Sequence, residues 1–369
     1  MPYEGGAGGA ALAIGCSTPA PGVLKGQAKV VDLGNRAPAV SVIMPVFNAA
    51  PTVRRAAVSI LRQRGVDLEL VCVDDGSTDG SSTILQELAA SFPGIRVIAQ
   101  PHRGIVAALN TALEAARHPL IARMDADDVA HPERLRLQAR FLLGNPEVGV
   151  VGTRVRSFPK AAVSAAFYAY ETWSNSLVAP EDIAREIYVE SPIVHPSAMF
   201  RRGEVLRLGG YRDVPWPEDY DLWLRYHQAG FGLAKLPRVL LGWRMHPERL
   251  SFRDPRCSLG GFIRCKAHFL ARDPRVRQGP VIIWGAGMTG RRLGKELMRE
   301  GVAVEAFVDV VPRSIGQTRH GRPVRPADCM RDTDRFVLVA IPAPGAKEEI
   351  RAQMRAWGHK EGESFILVA

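Results

Sequence analysis

The sequence predicts an α/β protein with a mostly parallel sheet flanked by helices, followed by a smaller βαβ domain. Short apolar segments alternate with segments of helical periodicity between residues 39 and 124, and this alternation is typical of βαβ units. The same alternation starts again after residue 280. A chain of 369 residues is also long enough for two domains of roughly 100–200 residues each.

The first domain is predicted over residues 38–273. It follows a tail over residues 1–37 that is rich in Gly, Ala and Pro, shows no periodicity and is expected to be disordered. Strands are predicted at Val40–Val46, Leu68–Val73, Ile95–Ala99 and Leu120–Met124, and helices at Thr52–Arg64, Ser81–Phe92, Gly104–Ala116 and Pro132–Asn145. Ligands bind outside the carboxyl ends of such strands, so the residues that follow them are the first candidates for a site.

Beyond Val151 the pattern is less regular, and the segment Arg154–Pro180 has no assignable element. Further elements are predicted as the strand Ala198–Arg201, the helix Glu218–Ala229, the strand Val239–Met245 and the helix Cys257–Ala271. A domain boundary is expected near Arg272-Asp273-Pro274, which assigns residues 274–369 to the second domain.

The composition excludes some functions and leaves others open. The net charge of +10 comes mostly from dispersed arginine, which suits anionic substrates, an anionic membrane surface or simple solubility. Zinc-finger spacings, RNP-type aromatic motifs and basic heptads are absent from the sequence, so no nucleic-acid partner is expected. Five cysteines without a C-x-x-C spacing fit a reducing compartment. The expected location is the cytoplasm, free or peripherally attached to the inner face of the membrane, and a homo-oligomer stays open.

Three acidic clusters carry the chemistry: Asp74-Asp75, Asp125-Ala126-Asp127-Asp128 and Glu218-Asp219. The first two directly follow predicted parallel strands, so they should meet at one edge of the sheet. Carboxylate oxygens suit Mg²⁺ or Mn²⁺, which leave coordination sites for substrate phosphates. The alternative is that both clusters are polar turns, with Asp128 capping the next helix.

Glu218-Asp219 follows Pro217 and is predicted to begin a helix. The helix dipole favours ionised carboxylates at that end, which would keep a general base deprotonated near neutral pH. The alternative is that the pair only caps the helix.

Seven segments, taken in order from about Ala39 to Ser251, resemble glycosyltransferase family 2, whose members have the GT-A fold. They are VSVIMPVFN (40–48), VDDGSTD (73–79), ARMDADD (122–128), HPS (195–197), GGY (209–211), EDYDLWLR (218–225) and RMH (244–246). Each segment alone is weak evidence for the family, whereas all seven in this order are specific to it.

The resemblance implies a nucleotide-sugar donor site. It places Pro45, Phe47 and Asn48 along the nucleotide pocket and assigns the base or ribose to Asp75. The diphosphate and a divalent metal, Mn²⁺ or Mg²⁺, fall to Asp125, Asp127 and His246, with Arg244 nearby on the donor.

The resemblance also implies an inverting transfer to an acceptor hydroxyl. Asp219 would be the general base and Glu218 would orient donor or acceptor. His195 fits a packed polar residue that shapes the acceptor side. The donor is expected to be a UDP-sugar and the acceptor a saccharide, a lipid-linked molecule or a protein, in cell-envelope polysaccharide or glycolipid synthesis.

The second domain carries a glycine loop that suggests another nucleotide site. Gly285, Gly287 and Gly290 follow the predicted strand Val281–Trp284, and Asp309 ends the next strand. This arrangement predicts a Rossmann-like unit. It leaves two rival functions open: an NAD(P)-dependent sugar-nucleotide oxidoreductase, and a non-catalytic module that binds a nucleotide sugar.

Overall fold

The computed structural model describes residues 37–343 and 345–369, and within them the chain forms two sheets with helices packed on both. The predicted disordered tail lies outside the described residues except for Ala37. The strands of the larger sheet are β1 (Ala39–Val46), β2 (Asp67–Asp74), β3 (Ile95–Ala99), β4 (Leu120–Arg123), β5 (Val129–Ala130), β6 (Val148–Phe158), β7 (Met199–Arg201) and β8 (Gly232–Arg244). Those of the smaller sheet are β9 (Val281–Trp284), β10 (Val304–Asp309), β11 (Thr318–Arg319), β12 (Arg322–Pro326), β13 (Val337–Val339) and β14 (Phe365–Leu367).

The helices connect these strands along the chain. They are α1 (Val53–Leu61), α2 (Ser81–Ser91), α3 (Ile105–Ala115), α4 (Arg134–Gly144), α5 (Ala165–Ser176), α6 (Pro180–Glu186), α7 (Arg202–Arg207), α8 (Glu218–Gln228), α9 (Leu250–Arg253), α10 (Leu259–Leu270), α11 (Pro274–Arg277), α12 (Met288–Arg299) and α13 (Ala346–Ala356). In the described part of the chain, none of them combines the length and the apolar composition that crossing a membrane requires.

The larger sheet has the strand order β3-β2-β1-β4-β7-β6-β8-β5. Its first four strands are mutually parallel, and β7 runs antiparallel to both β4 and β6. In the register of these pairs Val46 lies opposite Asp74, and Ile43 lies opposite Arg123. The carboxyl ends of β1, β2 and β4 therefore open on one edge of the sheet, which confirms the predicted α/β class.

Both faces of this sheet are covered, which explains why β1 reads as a continuous apolar run. Val42 and Met44 point into a core shared with α1, α2 and α4, whereas Ile43 points into a core shared with α3 and α8. All three side chains are fully buried. Each such side chain contributes roughly 1.5–3 kcal/mol to the free energy of unfolding.

The smaller sheet has the order β11-β12-β10-β9-β13-β14, and all its pairs are parallel except β11 with β12. It is joined to the larger sheet through α10, since Ile263 and Phe269 of this helix share one hydrophobic core with Ile283 and Leu293. The two sheets thus share a continuous packed interior.

Two predictions about the middle of the chain were wrong. The segment Arg154–Pro180 is regular: it completes β6 and forms α5. Helix α5 turns polar Glu171 and Ser174 inward, so it lacks the apolar periodicity that identifies a helix. Strand β8 starts at Gly232 rather than at Val239.

The glycine loop between β9 and α12 packs tightly on itself. A Cβ added to Gly290 would lie 1.8 Å from the carbonyl oxygen of Gly285, whereas one added to Gly287 would meet no atom within 4 Å. Gly290 is therefore needed for the close approach of strand end and helix start.

We expect Gly290→Ala to lower the stability of the protein by about 1–3 kcal/mol, because the backbone of the loop must move to admit the methyl group. The melting temperature in a thermal scan measures this loss. Gly287→Ala, on the same loop, is the matched control and should have a smaller effect. Equal melting temperatures for the two variants would contradict the packing argument.

Candidate functional site

A cleft of about 1120 Å³ opens at the carboxyl edge of the larger sheet. The sequence-predicted donor, metal and catalytic residues of the first domain all line it: Pro45, Phe47, Asn48, Asp75, Asp125, Asp127, Glu218, Asp219, Arg244 and His246. The structure thus brings these residues together from five separate segments of the chain. Their individual roles stay predictions.

The turn after β4 concentrates three carboxylates in the cleft floor. One oxygen from each of Asp125, Asp127 and Asp128 lies within 4.8 Å of the other two. Burial raises the pKa of Asp128 well above its usual value, and the charges of Asp125 and Asp127 raise it further. The pKa of Asp127 is also raised, by burial first and then by Asp125. Such a cluster is one that a divalent cation would stabilise.

Asp128 does not cap the following helix, contrary to the alternative drawn from the sequence. The N-cap residue of α4 is Glu133, which makes no capping hydrogen bond, and the first-turn N–H of Leu135 donates to Gln63 Oε1 (2.9 Å). Asp128 is fully buried, and its Oδ1 accepts a hydrogen bond from the backbone N–H of Arg244 (2.7 Å). Its Oδ2 is buried and has no hydrogen-bond partner among the described residues. An unpaired buried carboxylate oxygen is a feature that a bound cation explains.

Two buried arginines offset the negative charge of this turn. Arg123 forms an ion pair with Asp125 and is 2% exposed. Arg134 is fully buried and donates from Nη2 to the carbonyl of Arg123 (2.7 Å) and from Nε to Gln138 (3.0 Å). Neither arginine was predicted as a site residue. Their positions in the sequence could have indicated a role, because Arg123 comes just before the acidic turn and Arg134 lies in the helix after it.

The end of β8 closes the turn from the other side. His246 Nε2 lies 2.9 Å from Asp127 Oδ2. Arg244 donates from Nε to the carbonyl oxygen of Asp127 (2.8 Å), and its guanidinium stacks 4.6 Å from the Phe158 ring centroid. A strand distant in sequence therefore fixes the orientation of the acidic turn.

The other end of the cleft is organised around Asp75. Its Oδ1 accepts hydrogen bonds from Gln100 Nε2 (2.6 Å) and from the backbone N–H of Arg103 (3.0 Å), and its Oδ2 accepts one from Gly104 N–H (2.8 Å). His102 Nδ1 lies 2.8 Å from the same Oδ2. The carboxylate therefore ties the end of β2 to the loop after β3.

An aromatic pair forms the wall beside Asp75. The rings of Phe47 and His102 are stacked with their centroids 4.1 Å apart, and the Phe47 side chain is 47% exposed. Asn48 shapes the adjoining loop with a φ of 47°, and its Oδ1 accepts the backbone N–H of Thr78 (2.9 Å). His102 was not predicted as a site residue, although it follows the end of a parallel strand at the same edge.

Glu218 and Asp219 begin α8, as predicted, but burial reverses the expected effect of the helix dipole. Burial raises the pKa of Asp219 to about 7, and the neighbouring Glu218 charge adds to the increase. The pKa of Glu218 is raised as well, chiefly by burial. The loss of hydration outweighs the stabilisation by the helix N-terminus. The sequence predicted that the helix dipole would keep a general base deprotonated near neutral pH, whereas a pKa of about 7 leaves Asp219 only partly deprotonated there.

His195 packs beneath this pair. Its Nε2 lies 2.9 Å from the Tyr211 hydroxyl, and its Nδ1 lies 3.8 Å from Glu218 Oε1. Burial lowers the pKa of His195 well below its usual value, and the charge of Arg123 lowers it further. The imidazole is therefore neutral and serves as a buried polar support for Glu218.

The glycine loop of the smaller sheet lies outside this cleft. Gly285 adopts a φ of 129°, and its added Cβ would lie 2.6 Å from the carbonyl of Ala340. The Oδ1 of Asp309 accepts the backbone N–H groups of Val310 (2.8 Å) and Val311 (3.0 Å). Asp309 therefore stabilises its own turn, and a second nucleotide site there stays a prediction.

Comparisons with known proteins agree on one family. The protein-family model described as "Glycosyl transferase family 2" matches residues 41–209 of this chain. The putative glycosyltransferase EpsE of Bacillus subtilis (strain 168) is 35% identical over 211 residues, which cover 56% of this chain and 73% of EpsE. The amylovoran biosynthesis glycosyltransferase AmsE of Erwinia amylovora is 30% identical over 220 residues, covering 55% of this chain and 80% of AmsE.

Solved structures give the same fold. The crystal structure of S. aureus TarS 1-349 in complex with UDP-GlcNAc aligns with a TM-score of 0.52 at 19% identity, over 64% of this chain and 67% of that one. This similarity supports a GT-A fold for the larger sheet and its helices.

The raised pKa of Asp219 should make the stability of the protein depend on pH. An aspartate has a pKa of about 3.9 when unfolded, and that of Asp219 is about 7 in the fold. The contribution of Asp219 to the stability should therefore fall as the pH rises from about 4 to about 7 and then level off. Asp219→Asn removes this titration, so its melting temperature should gain on that of the wild type across the same window. Asp213→Asn, at a highly exposed aspartate, is the control. A difference that stays constant with pH would contradict the shifted pKa.

Proposed function

The chain belongs to glycosyltransferase family 2, and we propose that it is an inverting, metal-dependent member that moves a sugar from a nucleotide-diphosphate donor to an acceptor hydroxyl. The observation that carries this proposal is a single cleft lined by both Asp125 and Asp127 of the acidic turn and by the pair Glu218-Asp219. A transferase needs a group that holds the leaving diphosphate and a base that takes the acceptor proton. The family membership favours transfer over the rival readings as an oxidoreductase or a non-catalytic binding module.

The donor end of the cleft suits a nucleotide. The exposed Phe47 ring offers a stacking surface for a base, and Asp75 lies beside it with its carboxylate fixed by Gln100 and the backbone N–H of Gly104. Pro45 and Asn48 complete the rim of this pocket. We propose a UDP-sugar as the donor, in line with TarS, which shares the fold and has been crystallised with UDP and with UDP-GlcNAc.

The acidic turn suits Mn²⁺ or Mg²⁺. Its donors are hard carboxylate oxygens, and the unpaired buried Oδ2 of Asp128 gains a partner if a cation is bound. Asp125 and Asp127 would hold the ion, with His246 orienting Asp127. When bound, the ion would supply Lewis-acid stabilisation of the leaving diphosphate. Arg244 lies beside the turn and adds a positive charge on the diphosphate side.

Asp219 is proposed as the general base. A carboxylate with a pKa near 7 can be ionised at neutral pH and still be basic enough to take a proton from a hydroxyl. The acceptor oxygen attacks the anomeric carbon as Asp219 removes its proton, and the nucleoside diphosphate departs from the opposite side, so the configuration inverts. Glu218 shares the buried site and would orient the acceptor or the donor.

The biological setting of the enzyme and the division of the chain into two domains are also proposals. The relationship to AmsE, named for amylovoran biosynthesis, favours synthesis of an envelope polysaccharide or glycolipid, in the cytoplasm or peripherally at the membrane. We propose that residues 38–273 form the GT-A domain and residues 274–369 a Rossmann-like domain. In the latter, Gly285, Gly287 and Gly290 offer a phosphate-binding loop at the start of α12.

We expect Asp219→Asn to lower the rate of sugar transfer by at least about 100-fold, because general-base catalysis contributes roughly 10²–10⁴ in rate. The affinity for the donor should stay within about twofold, since the base faces the acceptor. Single-turnover transfer and isothermal titration with the nucleotide sugar measure the two quantities, and Asp213→Asn is the control. Unchanged turnover would remove Asp219 from the mechanism.

We expect Asp127→Ala to remove the increase in donor affinity that Mn²⁺ produces, because the variant loses a carboxylate ligand at the centre of the acidic turn. Titration of UDP with and without Mn²⁺ measures this increase. Glu248→Gln changes an exposed carboxylate on the same cleft and should behave as the wild type. A variant that binds UDP with the normal Mn²⁺ dependence would refute the metal assignment.

A further inference from the structure

Two polar residues of the cleft, Glu190 and Ser191, have no role in the function proposed above. Both line the cleft, and Ser191 is 5% exposed. The Ser191 hydroxyl is buried without a hydrogen-bond partner among the described residues. Glu190 is half-buried, and its Oε1 accepts a hydrogen bond from the adjacent backbone N–H of Ser191 (2.9 Å). A buried hydroxyl without a partner, beside a carboxyl group that accepts one bond, can form further hydrogen bonds with a ligand.

This wall lies on the base side of the cleft. The hydroxyl of Tyr170 donates to the carbonyl oxygen of Ser191 (2.9 Å). Burial raises the pKa of Tyr170, and the charges of both Glu190 and Asp219 raise it further, so one phenol ring lies near both carboxylates. The same two carboxylates also act together on Tyr220. Glu190 and Ser191 therefore line the same cleft as Asp219, with Tyr170 next to all three.

The chemistry of this wall selects one kind of acceptor. A carboxylate accepts hydrogen bonds from sugar hydroxyls, and a serine hydroxyl can both donate and accept. Burial raises the pKa of Glu190, and the charges of Lys266 and Lys347 oppose that rise. In its ionised form, Glu190 would repel a second anion placed against it, because like charges in contact at a binding surface are costly. The wall thus suits a sugar ring that carries hydroxyls and disfavours a uronate or a phosphate in the same position.

The smaller sheet holds the segment that leads into this wall. Val189 packs in the core of the smaller sheet with Ile282 and Trp284. The buried Lys266 donates from Nζ to the carbonyl of Val189 (2.7 Å) and to that of Val368 (3.1 Å). Lys266 therefore links the backbone at Val189, just before Glu190, to the backbone at Val368, just after β14.

A second anchor lies three residues earlier. Glu186 is 5% exposed, accepts a hydrogen bond from Arg351 of α13 and lies 3.8 Å from Lys347 Nζ. Arg351 is itself fixed by Glu361, with Nε 3.0 Å from both carboxylate oxygens. Buried, mutually satisfied polar groups of this kind hold one geometry.

We propose that Glu190 and Ser191 form an acceptor subsite for a neutral saccharide, and that the smaller sheet positions this subsite through Glu186, Val189 and Lys266. The proposal rests on the glycosyltransferase function proposed above. It gives the smaller sheet and its helices a function that does not require them to bind a ligand.

The first test compares neutral and anionic acceptor probes. Saturation-transfer NMR with the para-nitrophenyl β-glycosides of glucose, galactose, N-acetylglucosamine and glucuronic acid measures binding, with and without UDP and Mn²⁺. We expect at least one neutral glycoside to bind about tenfold more tightly than the glucuronide, a difference of about 1.4 kcal/mol. Glu190→Gln should reduce this preference to about twofold or less and leave UDP affinity unchanged. Glu248→Gln, at another carboxylate of the cleft, should keep the wild-type preference.

Three results would overturn the acceptor assignment: no neutral glycoside binds, the glucuronide binds as well as the neutral probes, or Glu190→Gln leaves the preference intact. Binding of UDP is read separately by titration. A protein that binds the neutral glycoside but no nucleotide would contradict the proposed transferase function and leave the saccharide subsite standing. The reverse result would contradict the subsite alone.

The second test addresses the smaller sheet. Arg351→Ala removes the anchor of Glu186 without touching the cleft, and it should weaken glycoside binding by about threefold or more while UDP affinity stays within about twofold. Arg325→Ala removes an exposed pair with Glu305 on the same sheet and should change neither. If Arg351→Ala fails to fold, Lys347→Ala weakens the same anchor more mildly. Unchanged glycoside affinity in a folded anchor variant, or an equal loss of UDP affinity, would refute the positioning role.

Discussion

The carboxylates of Asp125, Asp127 and Asp128 lie within one turn of the chain, and their mutual repulsion is the constraint around which the site is built. Such a turn is costly to bury unless cations and hydrogen-bond donors surround it. Arg123 and Arg134 supply charge from β4 and α4, and the end of β8 supplies the backbone N–H of Arg244 and the ring of His246. The donors reach the turn only because β8 crosses the sheet to this edge. Even so, one oxygen of Asp128 has no hydrogen-bond partner within residues 37–343 and 345–369, which leaves the turn suited to a metal ion.

The carboxylate pair at the start of α8 shows a second balance of the same kind. A helix N-terminus stabilises negative charge by roughly 0.3–1 kcal/mol at exposed positions, and the loss of hydration on burial is larger. The pKa of Asp219 therefore rises to about 7 instead of falling. This cost to the fold makes Asp219 a better base, because a carboxylate with an ordinary pKa would hold a proton too weakly at neutral pH. His195, neutral and buried, supports the pair without adding charge.

Much of this architecture follows from the sequence, and the parts that do not have physical reasons. Strands β1 to β4 read as apolar runs and their helices have apolar faces, because both faces of the sheet are buried by apolar side chains. Helix α5 was not predicted because its buried face carries polar Glu171 and Ser174, so the apolar periodicity of a helix is missing. The start of β8 was not predicted because it contains Lys235, a charged residue that is nevertheless buried. The Lys235 ammonium donates to the carbonyl of Pro192 (2.9 Å). Glu190 and Ser191 lie in a loop, and only tertiary packing brings them to the cleft.

The central claim is that the cleft binds a nucleotide sugar together with a metal ion. A thermal-shift panel tests it most directly, with UDP-, GDP- and dTDP-sugars in the presence and absence of Mn²⁺, and NAD(H) and NADP(H) alongside. A ligand at about 100 times its dissociation constant adds roughly 2.7 kcal/mol to the stability. The account predicts a shift with a UDP-sugar that requires Mn²⁺. A shift produced by a nicotinamide cofactor alone, with none from any nucleotide sugar, would contradict it.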